Sequence, residues 1–177
     1  MGIIFVAGVY GVGKSTLCEK LSRCMSIPCY SAGDLISRIN GERYGANKVV
    51  TDKNKNQHIL VDEVDALLIH QPQIILAGHF CIFDAQNCIE CLPEDVFYNL
   101  HIERILLLQA DIATVQANLQ KRDQKRYETS NLVALQEAEQ NMARSIAAQI
   151  PCELTVHTMA FNDTDVEMCL NQLMRKE

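Results

Sequence analysis

The hydrophobic and polar positions along the chain follow two alternating patterns. Short runs of mostly apolar residues are typical of buried strands, and they occur at residues 3–7, 27–31, 74–77, 104–108 and 154–157. Between these runs, apolar residues recur every three or four positions, as they do on the buried face of a helix. This alternation predicts an α/β protein in which helices cover both faces of a parallel sheet. Ligand-binding residues are then expected just after the strands, at their carboxyl ends.

The helices have recognisable ends in the sequence. Asp111 is expected to cap a helix that runs to about Arg122, and Asn162 or Asp163 is expected to cap the last helix. Residues 41–55 lack a period and predict a loop or a helical flap. The roughly fifteen residues that follow Gly78 are also expected to form a loop.

A long helix is predicted over roughly 131–149, where Pro151 stops it. Its expected buried stripe is Leu132, Leu135, Ala138, Met142 and Ile146. Glu137 and Glu139 flank this stripe, and we expect both to be solvated.

The first strand leads into a glycine-rich motif. Residues 8–16 read GVYGVGKST, which matches G-x-x-x-x-G-K-[ST], and a helical pattern follows. Such a loop brings backbone N–H groups close to a polyphosphate, Lys14 supplies a cation for the β- and γ-phosphates, and the Ser15 hydroxyl is suited to ligate Mg²⁺. The residues expected to hold the nucleotide are Gly8, Gly11, Val12, Gly13, Lys14, Ser15 and Thr16. The motif therefore predicts ATP and Mg²⁺ as cofactors.

Composition limits the classes of protein to consider. With 177 residues, of which 48% are hydrophobic, the chain suits a single domain over residues 1–177. A net charge of −6 makes a nucleic-acid partner improbable. Apolar runs stay well short of the ~18 residues that span a bilayer, and the N-terminus resembles no targeting leader, so we expect a cytoplasmic protein. The eight cysteines should then be reduced.

Cys88 and Cys91 form a CxxC pair, with His79 and Cys81 upstream. Structural zinc commonly uses two closely spaced pairs, and a redox pair of the thioredoxin kind would need a different context. Both readings stay open, and buried or incidental cysteines are the default.

The chain resembles a known family in three places: the glycine-rich motif, the segment Ser31-Ala32-Gly33-Asp34-Leu35, and an arginine-rich break near residue 122. This order is similar to that of P-loop nucleoside monophosphate kinases, and the layout is closest to the archaeal type of adenylate kinase. The resemblance implies a three-layer P-loop fold with five parallel strands in the order 2-3-1-4-5. It also implies an acceptor-side flap at about 33–70, a lid at about 121–130, and a loop near Ala160 to Asn162 beside the donor base.

Arg122 and Arg126 stand four residues apart, so both would face one way if the helix continued that far. Two guanidinium groups there could stabilise a transferring phosphoryl group, as the lid of the resembled kinases does. The alternative is that both arginines lie at a solvent-exposed helix C-terminus, where the helix dipole favours positively charged side chains.

The sequence departs from the resembled family after the third strand. Adenylate kinases usually carry Asp-Gly there, and this chain has Ala77-Gly78, while the usual acceptor-binding arginine shortly afterwards is also missing. Asp34 and Asp84 are the remaining candidates to steady Mg²⁺. His79 is expected to contact the acceptor phosphate, to act near the site of transfer, or to form a hydrogen bond to the backbone at the strand end.

These observations predict a phosphotransferase that moves the γ-phosphoryl group of ATP to a nucleoside monophosphate, a small-molecule nucleotide substrate. The expected catalytic residues are Lys14, Arg122, Arg126 and Asp34, and the expected metal ligand is Ser15. Three alternatives stay open: a kinase for another small metabolite, a kinase for a nucleic-acid end, and a nucleotide-binding switch or weak ATPase acting through a partner.

Overall fold

The computed structural model describes residues 2–40, 53–124 and 127–174. Its strands are β1 (Gly2–Gly8), β2 (Cys29–Ser31), β3 (Gln73–Ala77), β4 (Cys81–Phe83), β5 (Ile89–Cys91), β6 (Ile102–Gln109) and β7 (Glu153–Thr158). Its helices are α1 (Lys14–Met25), α2 (Ala32–Asn40), α3 (Lys53–His70), α4 (Glu94–Tyr98), α5 (Ile112–Asp123), α6 (Thr129–Gln149) and α7 (Thr164–Leu173).

The central sheet has five parallel strands in the order β2-β3-β1-β6-β7. Counted by the sheet strands alone, this is the order 2-3-1-4-5 that the resemblance implies, and the prediction is confirmed. Phe5 on β1 is paired in register with Leu76 on β3 and with Ile105 on β6. Strand β1 is fully buried because it lies at the centre of the sheet with neighbours on both edges.

An aromatic cluster holds the segment after β3 against the sheet. The ring centroids of Phe5 and Phe80 are 5.1 Å apart, and those of Phe80 and Phe97 are 4.7 Å apart. A Cβ atom at Gly78 would lie 2.7 Å from the Phe5 ring, which explains a glycine directly after the strand. The start of the segment is therefore fixed by close packing.

The stretch that follows was expected to be one loop, and this expectation is wrong in part. Strands β4 and β5 form an antiparallel hairpin. The Asp84 carboxylate closes its turn by accepting hydrogen bonds of 2.8 Å from the N–H groups of Gln86 and Cys88. An aspartate that binds the backbone two residues ahead is a standard way to stabilise a turn.

Caps were predicted at Asp111 and at Asn162 or Asp163, and the side chains of Asp111 and Asn162 accept hydrogen bonds from backbone N–H groups at the helix starts. Asp111 caps α5 by accepting a hydrogen bond of 3.0 Å from the N–H of Thr114. At the last helix, the Asn162 side chain accepts a hydrogen bond of 2.9 Å from the N–H of Thr164.

Among the described helices, none has the length and apolar character needed to cross a bilayer.

The buried face of helix α6 also differs from the prediction. Its buried positions are Leu132, Leu135, Glu139, Ala143 and Ile146. Glu139 is 1% exposed, so the prediction that it is solvated is wrong, whereas Glu137 is exposed as expected. Helix α6 contacts β1 and the hairpin, which brings Glu139 under the segment that follows β3.

Candidate functional site

The glycine-rich loop connects β1 to α1 with left-handed backbone at two glycines. Gly11 has φ 76° and Gly13 has φ 95°, which residues with a side chain rarely adopt. No side chain caps the N-terminus of α1, because its N-cap residue is Gly13. The N–H groups of the first helical turn carry partial positive charge, so this geometry fits a phosphate group.

Lys14 and the two hydroxyl residues after it border a cavity at this loop. The Lys14 ammonium group donates hydrogen bonds of 2.5 Å to the Gly8 carbonyl and 3.0 Å to the Val9 carbonyl. Ser15 and Thr16 are exposed and lie on the cavity wall. The ammonium and hydroxyl groups of the motif thus lie at the cavity in which we predict that a nucleoside triphosphate and its metal bind.

Gly8 and Val12 shape the loop without bordering the cavity. A Cβ atom at Gly8, whose φ is 141°, would lie 2.5 Å from the Leu108 carbonyl oxygen. Val12 is fully buried. Of the predicted nucleotide-binding residues, these two support the cradle from behind.

The cavity has a volume of about 860 Å³ and extends along the carboxyl ends of the strands. Its phosphate-loop end is bordered by Gly11, Gly13, Lys14, Ser15 and Thr16, together with Met159, Phe161 and Asn162 after β7. Its other end is bordered by Ser31, Gly33 and Ile36 near α2 and by Asn56, Gln57 and Leu60 on α3. The cavity at this edge of the sheet therefore has two ends that are lined by different residues.

Arg122 borders the cavity and is bound by its neighbour. Its Nε and Nη2 atoms lie 2.5 and 2.6 Å from the two carboxylate oxygens of Asp123, which also accepts a hydrogen bond of 3.3 Å from the Tyr127 hydroxyl. Helix α5 ends at Asp123, and Gln124 is left-handed with φ 52°. The condition that one helix continues to Arg126 is therefore not met, and Arg126 itself lies outside the described residues.

The two candidate metal-steadying aspartates do not border the cavity. Asp34 is exposed in the first turn of α2, where its N–H lies 3.4 Å from the Ser31 hydroxyl. Asp84 is engaged in the hairpin turn. Within the described residues, no three His, Cys, Asp or Glu side chains are grouped to hold a metal ion. Ser15 at the phosphate loop remains the predicted ligand for Mg²⁺.

The segment after β3 lies over the buried carboxylate of Glu139, which was predicted to be solvated. Glu139 accepts hydrogen bonds of 3.2 Å from the Phe80 N–H and 3.4 Å from the Cys81 N–H, and its Oε1 lies 3.2 Å from Nδ1 of His79. Burial raises the pKa of Glu139 to about 7, although the charge of Lys14 and the two N–H groups oppose this rise. His79 contacts a side chain here, rather than the backbone at the strand end.

Tyr10, inside the glycine-rich loop, packs on this group. Its ring centroid lies 4.3 Å from that of His79, and burial raises the pKa of its hydroxyl above the ordinary value. Both rings border the cavity. Tyr10 occupies a variable position of the glycine-rich motif, and a large aromatic residue there is the sequence signal that could have identified it.

The loop after β7 is held by a buried hydrogen bond between His157 and Asp165. Nε2 of His157 lies 2.8 Å from Oδ1 of Asp165, and the Asp165 carboxylate accepts hydrogen bonds of 2.9 and 3.1 Å from the N–H groups of Ala160 and Asn162. Burial alone would raise the pKa of Asp165, but these N–H groups and His157 outweigh it, so the pKa lies below its ordinary value. The pair fixes the loop that presents Phe161 to the cavity.

The cysteine pair of the CxxC motif is split by the hairpin. Cys91 lies opposite Cys81 across β4 and β5, whereas Cys88 lies in the turn region. These cysteines belong to no metal-binding group in the part of the chain that the structure describes.

A glycine-rich loop between a central parallel strand and a helix, with a lysine at the cavity, defines a P-loop fold of the kinase type. Comparison with known families agrees with this class. Residues 7–136 match the AAA domain family, and the chain belongs to this family. The narrower likeness to archaeal-type adenylate kinases stays a prediction.

The chain is similar to a cytidylate kinase of Methanothermobacter thermautotrophicus, with 29% identity over 126 residues, 68% of this chain and 78% of that protein. The fold resembles a shikimate kinase from Bacteroides thetaiotaomicron, with a TM-score of 0.61 and 14% identity over 97% of this chain and 95% of that one. It also resembles a tunicamycin resistance protein from Deinococcus radiodurans, with a TM-score of 0.65 and 15% identity over 99% and 96% of the two chains.

Proposed function

We propose that the protein is an ATP-dependent kinase that transfers the γ-phosphoryl group to a nucleoside monophosphate. The observation that carries this proposal is the single cavity of about 860 Å³ that joins the phosphate loop to the space between α2 and α3. It gives a donor and an acceptor room along one strand edge, where ligands bind in open α/β sheets. The sequence likeness to a cytidylate kinase supports a nucleotide as the acceptor.

In this proposal the N–H groups of the loop and Lys14 hold the β- and γ-phosphates of ATP. The Ser15 hydroxyl would ligate Mg²⁺, which would neutralise charge on the phosphates when bound. Phosphoryl transfer needs little covalent chemistry from the protein, so catalysis depends on positioning and on cations around the transferring group. Lys14 and Arg122 are the described cations suited to that task.

The lid remains part of the proposal through Arg122 and Arg126. Because Asp123 binds the Arg122 guanidinium at Nε and Nη2, Arg122 has to exchange this carboxylate for phosphate oxygens when substrates bind. Asp34 keeps a proposed acceptor-side role only if the flap at about 33–70 brings it inward, since it is exposed in this structure.

A second candidate is a kinase for a metabolite that carries no phosphate. It is favoured by one observation: among the residues whose side chains the structure describes, no lysine or arginine borders the α2 and α3 end of the cavity. A phosphate-bearing acceptor normally meets cations, whereas a hydroxylated acid such as shikimate places fewer demands of that kind.

A panel of acceptors separates these functions. The purified protein is incubated with ATP and Mg²⁺ plus each ribo- and deoxyribonucleoside monophosphate, or shikimate, and the products are resolved by chromatography. Lys14→Ala protein and an acceptor-free reaction are the controls. We expect a nucleoside diphosphate from at least one monophosphate. ADP formed at the same rate in every reaction would overturn the proposal in favour of an ATPase or switch.

A further inference from the structure

The described cations of the cavity lie on one side of it. Lys14 and Lys20 belong to α1, and Arg122 belongs to the end of α5. Arg38 on α2 does not border the cavity, and its Nη2 lies 2.8 Å from the Glu63 carboxylate at the surface. Among the residues whose side chains the structure describes, a group other than lysine or arginine would therefore have to bind an acceptor phosphate at the α2 and α3 end.

His79 lies where such a group is needed. It follows β3 directly after Gly78, borders the cavity, and has a side chain that is 18% exposed. Its Nδ1 faces the carboxylate of Glu139, which is 1% exposed. Any hydrogen bond from the imidazole ring to a group in the cavity must therefore use Nε2.

A buried carboxylate next to an imidazole favours the charged form of the ring. The Glu139–His79 pair can hold a proton on either partner, and a phosphate arriving at the cavity favours the proton on the imidazole, because an imidazolium then lies between two negative groups. Tyr10, whose ring packs on His79, stays neutral. Lys14 and Arg122 also border the cavity, and the phosphates of bound substrates would offset their positive charges.

We propose that His79 binds the phosphate of the acceptor nucleotide as an imidazolium, and that Glu139 is the positioning residue that orients and stabilises this cation. The inference rests on the proposed nucleoside monophosphate kinase function and assigns its acceptor-phosphate site. It places a histidine and a carboxylate where the resembled kinases have an aspartate after the strand and an arginine nearby.

The first test is His79→Gln, with His101→Gln as the matched control. His101 also faces a carboxylate, since its Nε2 lies 3.3 Å from Asp65, but this pair is at the surface. His79→Gln should raise the KM for the nucleoside monophosphate by about tenfold to a hundredfold, the range of a lost charge-assisted hydrogen bond. The KM for ATP should stay unchanged, and His101→Gln should change neither constant.

Inhibition by the matching nucleoside shows which part of the acceptor is affected. The nucleoside lacks the phosphate, so its inhibition constant should be the same for wild type and His79→Gln. Equal weakening of nucleoside and monophosphate would indicate a distorted site and would overturn the inference.

Glu139→Gln tests the positioning role. It should raise the KM of the monophosphate in the same direction, and the double variant should be no weaker than His79→Gln, because Glu139 acts through His79. Additive effects in the double variant would overturn that role. If Glu139→Gln does not fold, as judged by its melting curve, the comparison of His79→Gln with wild type still decides the histidine's part.

The outcomes separate this inference from the function on which it rests. If wild type neither binds nor phosphorylates any nucleoside monophosphate, both fail. If wild type phosphorylates one and His79→Gln leaves its KM unchanged, the inference fails and the kinase function stands.

Discussion

The buried carboxylate of Glu139 should make the stability of the protein depend on pH in a way that one substitution removes. Glu139→Gln keeps the size of the side chain and abolishes its titration. The amide also places an NH₂ group near the N–H groups of Phe80 and Cys81, which destabilises the variant by a constant amount. The informative quantity is therefore the change with pH in the stability difference between wild type and variant.

The magnitude follows from the pKa. In the folded protein the pKa of Glu139 is raised from an ordinary value of 4.5 to about 7, chiefly by burial. The unfolded state then releases its proton at lower pH than the folded state, so stability falls as the pH rises between these two values. Each pKa unit corresponds to about 1.4 kcal/mol, which predicts a loss of about 2 to 3 kcal/mol between about pH 5 and pH 8.

Urea unfolding at several pH values measures this loss. The free energy of unfolding of wild type should decline toward higher pH relative to Glu139→Gln. Glu137→Gln, an exposed position on the same helix, serves as the control and should follow wild type at every pH. Parallel curves for wild type and Glu139→Gln would refute the assigned burial and pKa.

Three further substitutions test other parts of the site. Lys14→Ala should abolish turnover and weaken ATP binding by at least about tenfold in equilibrium dialysis, because it removes the cation of the phosphate loop. Arg122→Ala should lower kcat by about a hundredfold with little change in ATP binding, and an unchanged kcat would favour the switch function. Asp165→Asn should lower the free energy of unfolding at neutral pH by about 1 to 3 kcal/mol and raise the KM for ATP, because the loop after β7 loses its charged anchor. Since the pKa of Asp165 lies below its ordinary value, this stabilisation should be lost as the pH falls through the folded-state pKa, and a difference from wild type that persists there would contradict the anchor.

The order of elements could be predicted because each local signal agreed with the fold. The apolar run before Gly8, the glycine-rich motif and the helical spacing after Lys14 gave strand, loop and helix, and the structure has β1 and α1 there. The cap at Asp111 followed from the same kind of local hydrogen bond. The strand order came from the resemblance, since periodicity alone does not determine which strands are neighbours.

The Glu139 site could not be predicted by residue type, because glutamate is rarely buried. Its spacing was the better guide: Glu139 lies four residues after Leu135 and four before Ala143, on the buried stripe of α6. The hydrogen-bond partners that compensate for the burial of the Glu139 carboxylate lie about 60 positions away in the chain. They are the N–H groups after β3 and the His79 ring. Sequence separation of that size hides such partners from local reasoning.

The β4–β5 hairpin was not predicted because its strands give only a weak signal in the sequence. Its strands are three residues long, and β-branched residues are few in them. The turn signal at Asp84 was present, but it was considered as a candidate metal ligand. The structure shows the same carboxylate closing the turn.

The most direct test of the account is transfer of label from ATP radiolabelled at the γ-phosphate to a nucleoside monophosphate, with wild type and Lys14→Ala compared at equal protein concentration. We expect labelled nucleoside diphosphate in amounts equal to the ADP formed, from wild type and not from Lys14→Ala. Label that appears only as inorganic phosphate, at a rate that no monophosphate changes, would contradict it.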